Sequence, residues 1–296
     1  MPRILPLLAA LVLPVLAAGA DFAADLARWR ADRVERLRAP DGWLSLVGLH
    51  WLAPGDQSVG TAEDNAVRLA AGPAYLGTVR LASDGAVTFV AAPGSLARSD
   101  GRPVRGSSVG AVELEYRAGR PSVVEARNVS FVVIQRGDRV GLRVRDTESP
   151  RRRDFAGLEH FPADPGWRIE AEWVPFAAPR EIPITNVLGQ TSPARCPGKA
   201  VFVRDGRRVE LLPILEGDDP RLFFILTDGT SGVETYGAAR FLYAEPPRDG
   251  KVVLDFNRAY NPPCAFTPFA TCPLPPRENR LELRITAGEK AYAGAH

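Results

Sequence analysis

Polar side chains crowd one stretch of this sequence, between residues 228 and 264. The stretch contains Asp228-Gly229-Thr230, Tyr236, Arg240, Asp255, Asn257 and Asn261. An arginine guanidinium forms paired, charge-assisted hydrogen bonds with anions. A carboxylate can serve as a general base. The stretch therefore predicts a site for a small polar or anionic ligand or for acid–base chemistry.

The first hypothesis is a ligand-binding pocket built from this stretch. Arg240 would bind the charged part of the ligand, and the side chains that fix its orientation would be Tyr236, Asp255, Asn257 and Asn261. Residues 255 and 257 have the spacing of side chains on the same face of a strand. The Asn-Pro-Pro segment that follows is stiff, because proline fixes its own φ and restricts the residue before it. We expect this rigid loop to hold polar groups beside a strand end.

Two other hypotheses use the same residues. In a hydrolase-like enzyme, Asp228 or Asp255 would act as the general base while Arg240 stabilises developing charge. In a structural or partner-binding envelope protein, the aspartate and asparagine side chains would bond nearby backbone amides, and Arg240 would form an ion pair with Asp228 or Asp255. The residues alone leave all three hypotheses open.

Several other chemistries are disfavoured by what the sequence contains. His50 and His160 are the only histidines apart from the last residue, and no Gly-x-Ser-x-Gly motif presents a serine nucleophile. No Cys-x-x-Cys or His-Glu-x-x-His spacing indicates a zinc site, and no glycine-rich phosphate loop is present. We expect no metal and no cofactor.

Cys264 and Cys272 are the closest pair among three cysteines. In an oxidising compartment they are the natural candidates for a disulfide, which would close a short proline-containing loop. The alternative is a pair of thiols that reacts or binds a ligand. Cys196 would remain unpaired in either case.

The sequence pattern predicts that the elements that position these residues are mainly β-strands. Short runs rich in β-branched residues, broken by glycine, proline and aspartate, begin beyond Gly60. Arg136-Gly137-Asp138 and Asp205-Gly206 each lie between two such runs and predict hairpins. Only residues 21–38 have helical spacing, as an amphipathic helix before Pro40. The predicted fold is therefore an antiparallel barrel or sandwich with one N-terminal amphipathic helix.

Residues 21–296 are long enough for a single mostly-β domain. Prolines cluster between residues 150 and 166, which offers an alternative division into two β sub-domains at that point.

The first 20 residues have the three parts of a secretory signal peptide. Arg3 precedes an apolar run that ends at Ala18-Gly19-Ala20. The run is shorter than the roughly 20 residues that span a bilayer. We expect cleavage after Ala20, a periplasmic or secreted location, and no stable membrane insertion afterwards. The formal net charge of +2 would fall to +1 with the loss of Arg3, so no nucleic-acid partner is implied.

Long motifs near the C-terminus connect this sequence to a known family. They are Asp255-Phe256-Asn257-Arg258-Ala259-Tyr260-Asn261-Pro262-Pro263-Cys264-Ala265-Phe266, Cys272-Pro273-Leu274-Pro275-Pro276 and Ala287-Gly288-Glu289-Lys290. Together they closely resemble the signature of a bacterial family known as domain-of-unknown-function family 1684. The resemblance continues upstream through Thr235-Tyr236, Arg240-Phe241-Leu242, Arg145-Asp146, Phe155-Ala156-Gly157-Leu158 and Gly42-Trp43-Leu44-Ser45-Leu46.

The resemblance implies a set of polar positions rather than a reaction. Those positions are Asp228, Tyr236, Arg240, Asp255, Asn257 and Asn261. It also implies that relatives without an export signal carry the same cysteine pair, which gives the loop between Cys264 and Cys272 a role beyond a disulfide staple.

Overall fold

A computed structural model describes residues 13–104, 106, 110–117 and 120–294, with side chains from residue 21 onward. Helix α1 spans Leu13–Arg38 and contains the predicted amphipathic segment. Residues 1–12 of the predicted signal peptide lie outside the described residues. Among the described helices, none is both long enough and apolar enough to cross a membrane.

The chain forms two compact units. Unit 1 comprises Met1–Glu35, Gly157–Pro262 and Pro273–Ala293, and unit 2 comprises Arg36–Ala156, Pro263–Cys272 and Gly294–His296. The chain thus leaves unit 2 after residue 156 and returns to it for residues 263–272 and again from residue 294. The number of independently folding domains stays a prediction.

The described residues of unit 2 form eleven strands in two sheets. The strands are β1 (Leu46–Trp51), β2 (Gly55–Gly60), β3 (Val67–Arg68), β4 (Gly77–Leu81), β5 (Val87–Ala91), β6 (Arg98–Ser99), β7 (Arg102–Pro103), β8 (Val112–Glu113), β9 (Val123–Ala126), β10 (Val129–Arg136) and β11 (Arg139–Asp146). One sheet has the order β1-β11-β10-β9-β6-β7 and the other has the order β3-β2-β4-β5-β8. All pairs are antiparallel except β2 with β3.

One apolar core belongs to both sheets of unit 2. Phe131 and Val133 from β10 and Leu142 and Val144 from β11 are buried in it, and Phe89 meets the ring of Phe131 edge-on. Successive side chains in a strand point to opposite faces. The residues between these core positions therefore lie on the other face of the six-stranded sheet, which we call its outer face.

Unit 1 has six strands. They are β12 (Arg168–Thr185), β13 (Thr191–Arg204), β14 (Arg207–Leu211), β15 (Leu222–Leu226), β16 (Arg240–Ala244) and β17 (Lys251–Asp255). One sheet has the order β14-β13-β12-β17, and β15 pairs with β16 in a second sheet. Phe224, Leu242 and Phe256 lie in their common apolar core.

The predicted fold class is confirmed: the protein is mainly β, its sheets are antiparallel apart from one short pair, and a helix lies at the N-terminus. Both predicted hairpins are present, as β10–β11 and β13–β14. At the second turn Asp205 and Gly206 both have positive φ, as an Asp-Gly hairpin turn requires. A second helix, α2 (Pro150–Arg153), was not predicted because it is a single turn.

Candidate functional site

Asp228 and Arg240 form an ion pair inside unit 1. Both side chains are fully buried, and the guanidinium also donates to the carbonyl oxygens of Ala287 (2.6 Å) and Ile285 (3.1 Å). The Asp228 carboxylate accepts from the backbone N–H (2.8 Å) and hydroxyl (2.7 Å) of Thr230 and from the N–H of Ile285 (3.2 Å). The pair therefore joins strand β16 to the C-terminal segment.

Asp255 and Asn257 contact each other at the end of strand β17, but not as the neighbours on one strand face that their spacing predicted, because the strand ends at Asp255. The chain turns there into a short 3-10 helix, whose first residues are capped by Asp255. The amide of Asn257 donates to Asp255 (3.0 Å) and to the carbonyl oxygen of Asp164 (2.8 Å), and it accepts from the N–H of Asp164 (2.9 Å). Asp255 also forms an ion pair with Arg258 at 3.3 Å.

Asn261 belongs to a third group of contacts. Its N–H donates to Glu289 (2.8 Å), and its side-chain amide donates to the carbonyl oxygen of Lys290 (2.7 Å). Glu289 is fully buried and pairs with Arg33 of helix α1 at 3.0 Å. Arg33 also donates to the carbonyl oxygen of Asn261 (2.8 Å), so this group fixes part of the helix within unit 1.

Tyr236 is half-buried, and burial raises the pKa of its hydroxyl. The predicted residues other than Tyr236 thus fall into three hydrogen-bonded groups around Asp228, Asp255 and Asn261, each of which joins separate segments of unit 1. Among the predicted residues, two buried polar atoms have no hydrogen-bond partner in the described part of the chain: Nε of Arg240 and Oδ1 of Asn261.

A second candidate site lies on the outer face of the six-stranded sheet in unit 2. Arg143 and Arg145 alternate with the core residues of β11, and Arg136 alternates with those of β10. We call the part of the outer face that carries these three residues the arginine face. Each of the three side chains is half-buried rather than free in solvent.

The electrostatics of the arginine face are unfavourable for the protein alone. Burial, reinforced by the positive charges of Arg136 and Arg145, lowers the pKa of Arg143 to about 10. Burial also lowers the pKa of Arg136 and of Arg145, although Asp41 opposes the change at Arg145. Within the described part of the chain, no carboxylate lies within 4.0 Å of Arg143 or Arg145, and their buried Nε–H groups donate to no acceptor.

The segment with the two cysteines reaches the arginine face. The sulfurs of Cys264 and Cys272 lie at disulfide distance, with Cα atoms 6.2 Å apart, and we call residues 264–272 the cystine loop. In this loop, the hydroxyl of Thr271 accepts from Nε of Arg136 at 3.0 Å, and that of Thr267 donates to the carbonyl oxygen of Leu46 at 3.1 Å. The loop therefore borders the face and contributes a hydroxyl to it.

Aromatic rings flank the arginines. The guanidinium of Arg143 lies 5.4 Å from the ring centroid of Trp43, and that of Arg139, at the exposed end of β11, lies 4.2 Å from the ring of Trp51. Aromatic faces attract cations. These contacts hold the arginine side chains near the sheet without neutralising them.

The sequence did not single out Arg136, Arg143 or Arg145 as site residues. Alternating arginines and apolar residues in β11 look like any strand with one solvated face. The signal that was present is that Arg145 belongs to the same family resemblance as Trp43 and Cys264. Their meeting in one unit depends on the return of residues 263–272, which strand patterns do not indicate.

The imidazole of His160 lies in unit 1. Nε2 of His160 is buried without a hydrogen-bond partner among the described residues, and burial, followed by the charge of Arg30, lowers the pKa of the imidazole to about 4. A neutral imidazole of this kind is a poor proton carrier near pH 7. In the described part of the chain, no group of three or more His, Cys, Asp or Glu side chains could hold a metal ion.

Comparisons with known proteins agree with the family resemblance. The model of a family described as "Protein of unknown function (DUF1684)" matches residues 153–290. No curated protein matches. A solution NMR structure of an uncharacterized protein of Haloarcula marismortui is 34% identical, with 48% of this chain and 80% of that chain covered and a TM-score of 0.40. The chain belongs to the DUF1684 family of proteins of unknown function.

Proposed function

We propose that this protein is exported and binds a small anionic ligand on the arginine face. The observation that carries the proposal is the set of three half-buried guanidinium groups, two of which have no carboxylate partner among the described residues. The N-terminal sequence pattern supports export. A cysteine pair at disulfide distance is compatible with an oxidising compartment.

The physical argument concerns uncompensated charge. Half-buried charges interact more strongly than charges in bulk water, because the surrounding dielectric is lower. The charges of Arg136 and Arg145 therefore act unfavourably on Arg143 in the free protein. An anion bound beside Arg143 and Arg145 adds attraction and can accept from their Nε–H groups, which have no acceptor among the described residues.

The pocket in the 228–264 region is a second proposal for the same function. It is favoured by the two buried polar atoms without partners, Nε of Arg240 and Oδ1 of Asn261. The other contacts of Arg240 go to protein atoms, which favours a structural role for most of its donors.

The hydrolase alternative needs a carboxylate that can accept a proton from substrate or water. One oxygen of Asp228 accepts three hydrogen bonds and the other pairs with Arg240. Asp255 is bound by Asn257 and Arg258. These contacts favour ligand binding over acid–base chemistry.

Thermal denaturation with added anions tests the proposal. A ligand at 100 times its Kd adds about 2.7 kcal/mol to the free energy of unfolding. That corresponds to a Tm increase of roughly 5–11 °C in a chain of this size. We expect the increase in the wild type, its loss in Arg143→Gln, and its retention in Arg102→Gln. The control removes one positive charge from an exposed position of β7, which two strands separate from β10 in the same sheet.

Arg143→Gln should not unfold the protein, because it removes a repelled charge. An anion-dependent Tm increase that survives in Arg143→Gln would refute the arginine face. If the increase instead disappears in Arg240→Met while that variant remains folded, the second proposal is supported.

A further inference from the structure

The two cysteines of the cystine loop differ in their exposure to solvent. Cys272 is 5% exposed, whereas Cys264 is half-buried. A thiolate opens a disulfide by attacking one of its sulfurs, and access helps to decide which sulfur is attacked. A thiol in solution therefore meets Cys264 first, and Cys272 becomes the leaving group.

The hydrogen-bonding groups around the two sulfurs suit the products of such an attack. Sγ of Cys272 accepts from the N–H of Cys264 at 3.1 Å. A hydrogen bond to the charged form lowers the pKa of a thiol, and a thiol of lower pKa is the faster leaving group. Sγ of Cys264 lies 3.6 Å from the carbonyl oxygen of Ala270, which can accept from a thiol S–H. Each sulfur thus has a partner of the right polarity for the reduced pair.

The cystine loop is also held in unit 2 by contacts that do not involve sulfur. Phe266 and Thr267 are fully buried. The hydroxyl of Thr267 donates to the carbonyl oxygen of Leu46. The hydroxyl of Thr271 accepts from Nε of Arg136. Because these contacts do not depend on the bond between the sulfurs, the folded protein can hold the cysteine pair in either oxidation state.

We propose that Cys264 and Cys272 form a reversible thiol–disulfide couple that exchanges with a dithiol, with Cys264 as the attacked sulfur and Cys272 as the leaving sulfur. This redox activity goes beyond the binding of an anion on the arginine face and does not require it.

The exchange transfers two electrons in two steps. First, one thiolate of the dithiol forms a bond to Sγ of Cys264, the bond between the two protein sulfurs breaks, and its electron pair stays on Cys272. The second thiolate of the dithiol then attacks the dithiol sulfur of this mixed disulfide and releases Cys264. The dithiol is oxidised to a disulfide, and the two protein sulfurs take up its two protons.

The kinetics of reduction by dithiothreitol test the proposal on the wild-type protein. A disulfide that is reached only after unfolding is reduced faster as urea is added, because urea increases the population of the unfolded state. We expect instead a rate that is proportional to the dithiothreitol concentration and unchanged by urea below the unfolding transition of the reduced protein. The far-ultraviolet circular dichroism should be the same before and after reduction, and oxidised dithiothreitol should restore the disulfide.

Two single-cysteine variants identify the attacked sulfur. Both contain Cys196→Ser, which removes the third, buried thiol. One adds Cys272→Ser and the other adds Cys264→Ser. With an aromatic disulfide reagent, we expect the thiol of Cys264 to react at least about tenfold faster than that of Cys272 in the folded protein, because it is the more exposed of the two.

Three results would overturn the proposal. The first is a rate of reduction that increases with urea together with the unfolded population, and the second is a loss of secondary structure on reduction. Either result would leave the disulfide with a structural role alone. The third is a thiol of Cys272 that reacts as fast as that of Cys264 or faster. None of these measurements includes an anion, so their results are independent of the proposed function.

Discussion

Replacing Arg240 with methionine should lower the free energy of unfolding by about 3–5 kcal/mol, the range for breaking a buried ion pair by removing one partner. The Asp228 carboxylate would remain fully buried without its cationic partner, and the carbonyl oxygens of Ala287 and Ile285 would lose their donors. Methionine replaces most of the apolar volume, so the electrostatic cost dominates. The corresponding decrease in Tm is roughly 6–20 °C.

A double-mutant cycle makes this expectation specific to the charge. Asp228→Asn in the wild-type background should destabilise the protein, because the amide places an N–H group beside the guanidinium. The same substitution added to Arg240→Met should stabilise it, because it removes the unpaired buried charge while an amide oxygen can still accept from Thr230.

Urea denaturation followed by tryptophan fluorescence and circular dichroism measures the four free energies of unfolding. Arg207→Met is the control, since Arg207 pairs with Glu282 at 3.5 Å and both side chains are exposed; it should cost less than about 1 kcal/mol. A cost for Arg240→Met no larger than that of the control would refute the reasoning. So would a destabilising effect of Asp228→Asn in both backgrounds.

Three further expectations concern other contacts. Reducing the Cys264–Cys272 pair should lower the free energy of unfolding by about 2–3 kcal/mol; urea melts with and without reductant measure this, and Cys264→Ser/Cys272→Ser should not respond to the reductant. Asn257→Ala should cost about 1–3 kcal/mol, because the N–H of Asp164 loses its acceptor and the carbonyl oxygen of Asp164 loses one of its two donors; an unchanged urea midpoint would contradict this. In the folded protein, burial lowers the pKa of His160 from its ordinary value of 6.5 to about 4. The part of the free energy of unfolding that depends on the neutral imidazole should therefore be present above pH 6.5 and lost as the pH falls from 6.5 to 4. His160→Gln should have a smaller difference in unfolding free energy between pH 4.5 and pH 7 than the wild type, and equal differences would contradict the assignment.

Local sequence patterns were sufficient to predict much of the secondary structure and the two hairpins. Asp205-Gly206 predicted its hairpin because the turn needs two residues that tolerate positive φ, and the observed backbone has them. The β-branched runs on either side of Arg136-Gly137-Asp138 likewise predicted the β10–β11 hairpin. The pairing of β16 with β15 and the division of strands between two units depend on long-range contacts, which no local pattern specifies.

The candidate sites were harder to predict for a related reason. Asp228 and Arg240 were correctly named as a potential ion pair, but their links to residues 285–287 depend on where the C-terminal segment lies. For Arg143 and Arg145, the informative property is half-burial without a carboxylate within 4.0 Å among the described residues. Arg143 has the same sequence context as an arginine in open solvent, so residue type and spacing could not reveal it.

The return of residues 263–272 to unit 2 has a consequence for biosynthesis. All the strands of unit 2 have left the ribosome once residue 156 has emerged, yet the segment that contributes Thr271 and the cysteine pair follows only after about 100 further residues. At translation rates of roughly 5–20 residues per second, this delay lasts roughly 5–20 s. During that interval the nascent chain presents three arginines without their neighbouring loop. Unit 2 can therefore be completed around the cystine loop only when nearly the whole polypeptide has been made.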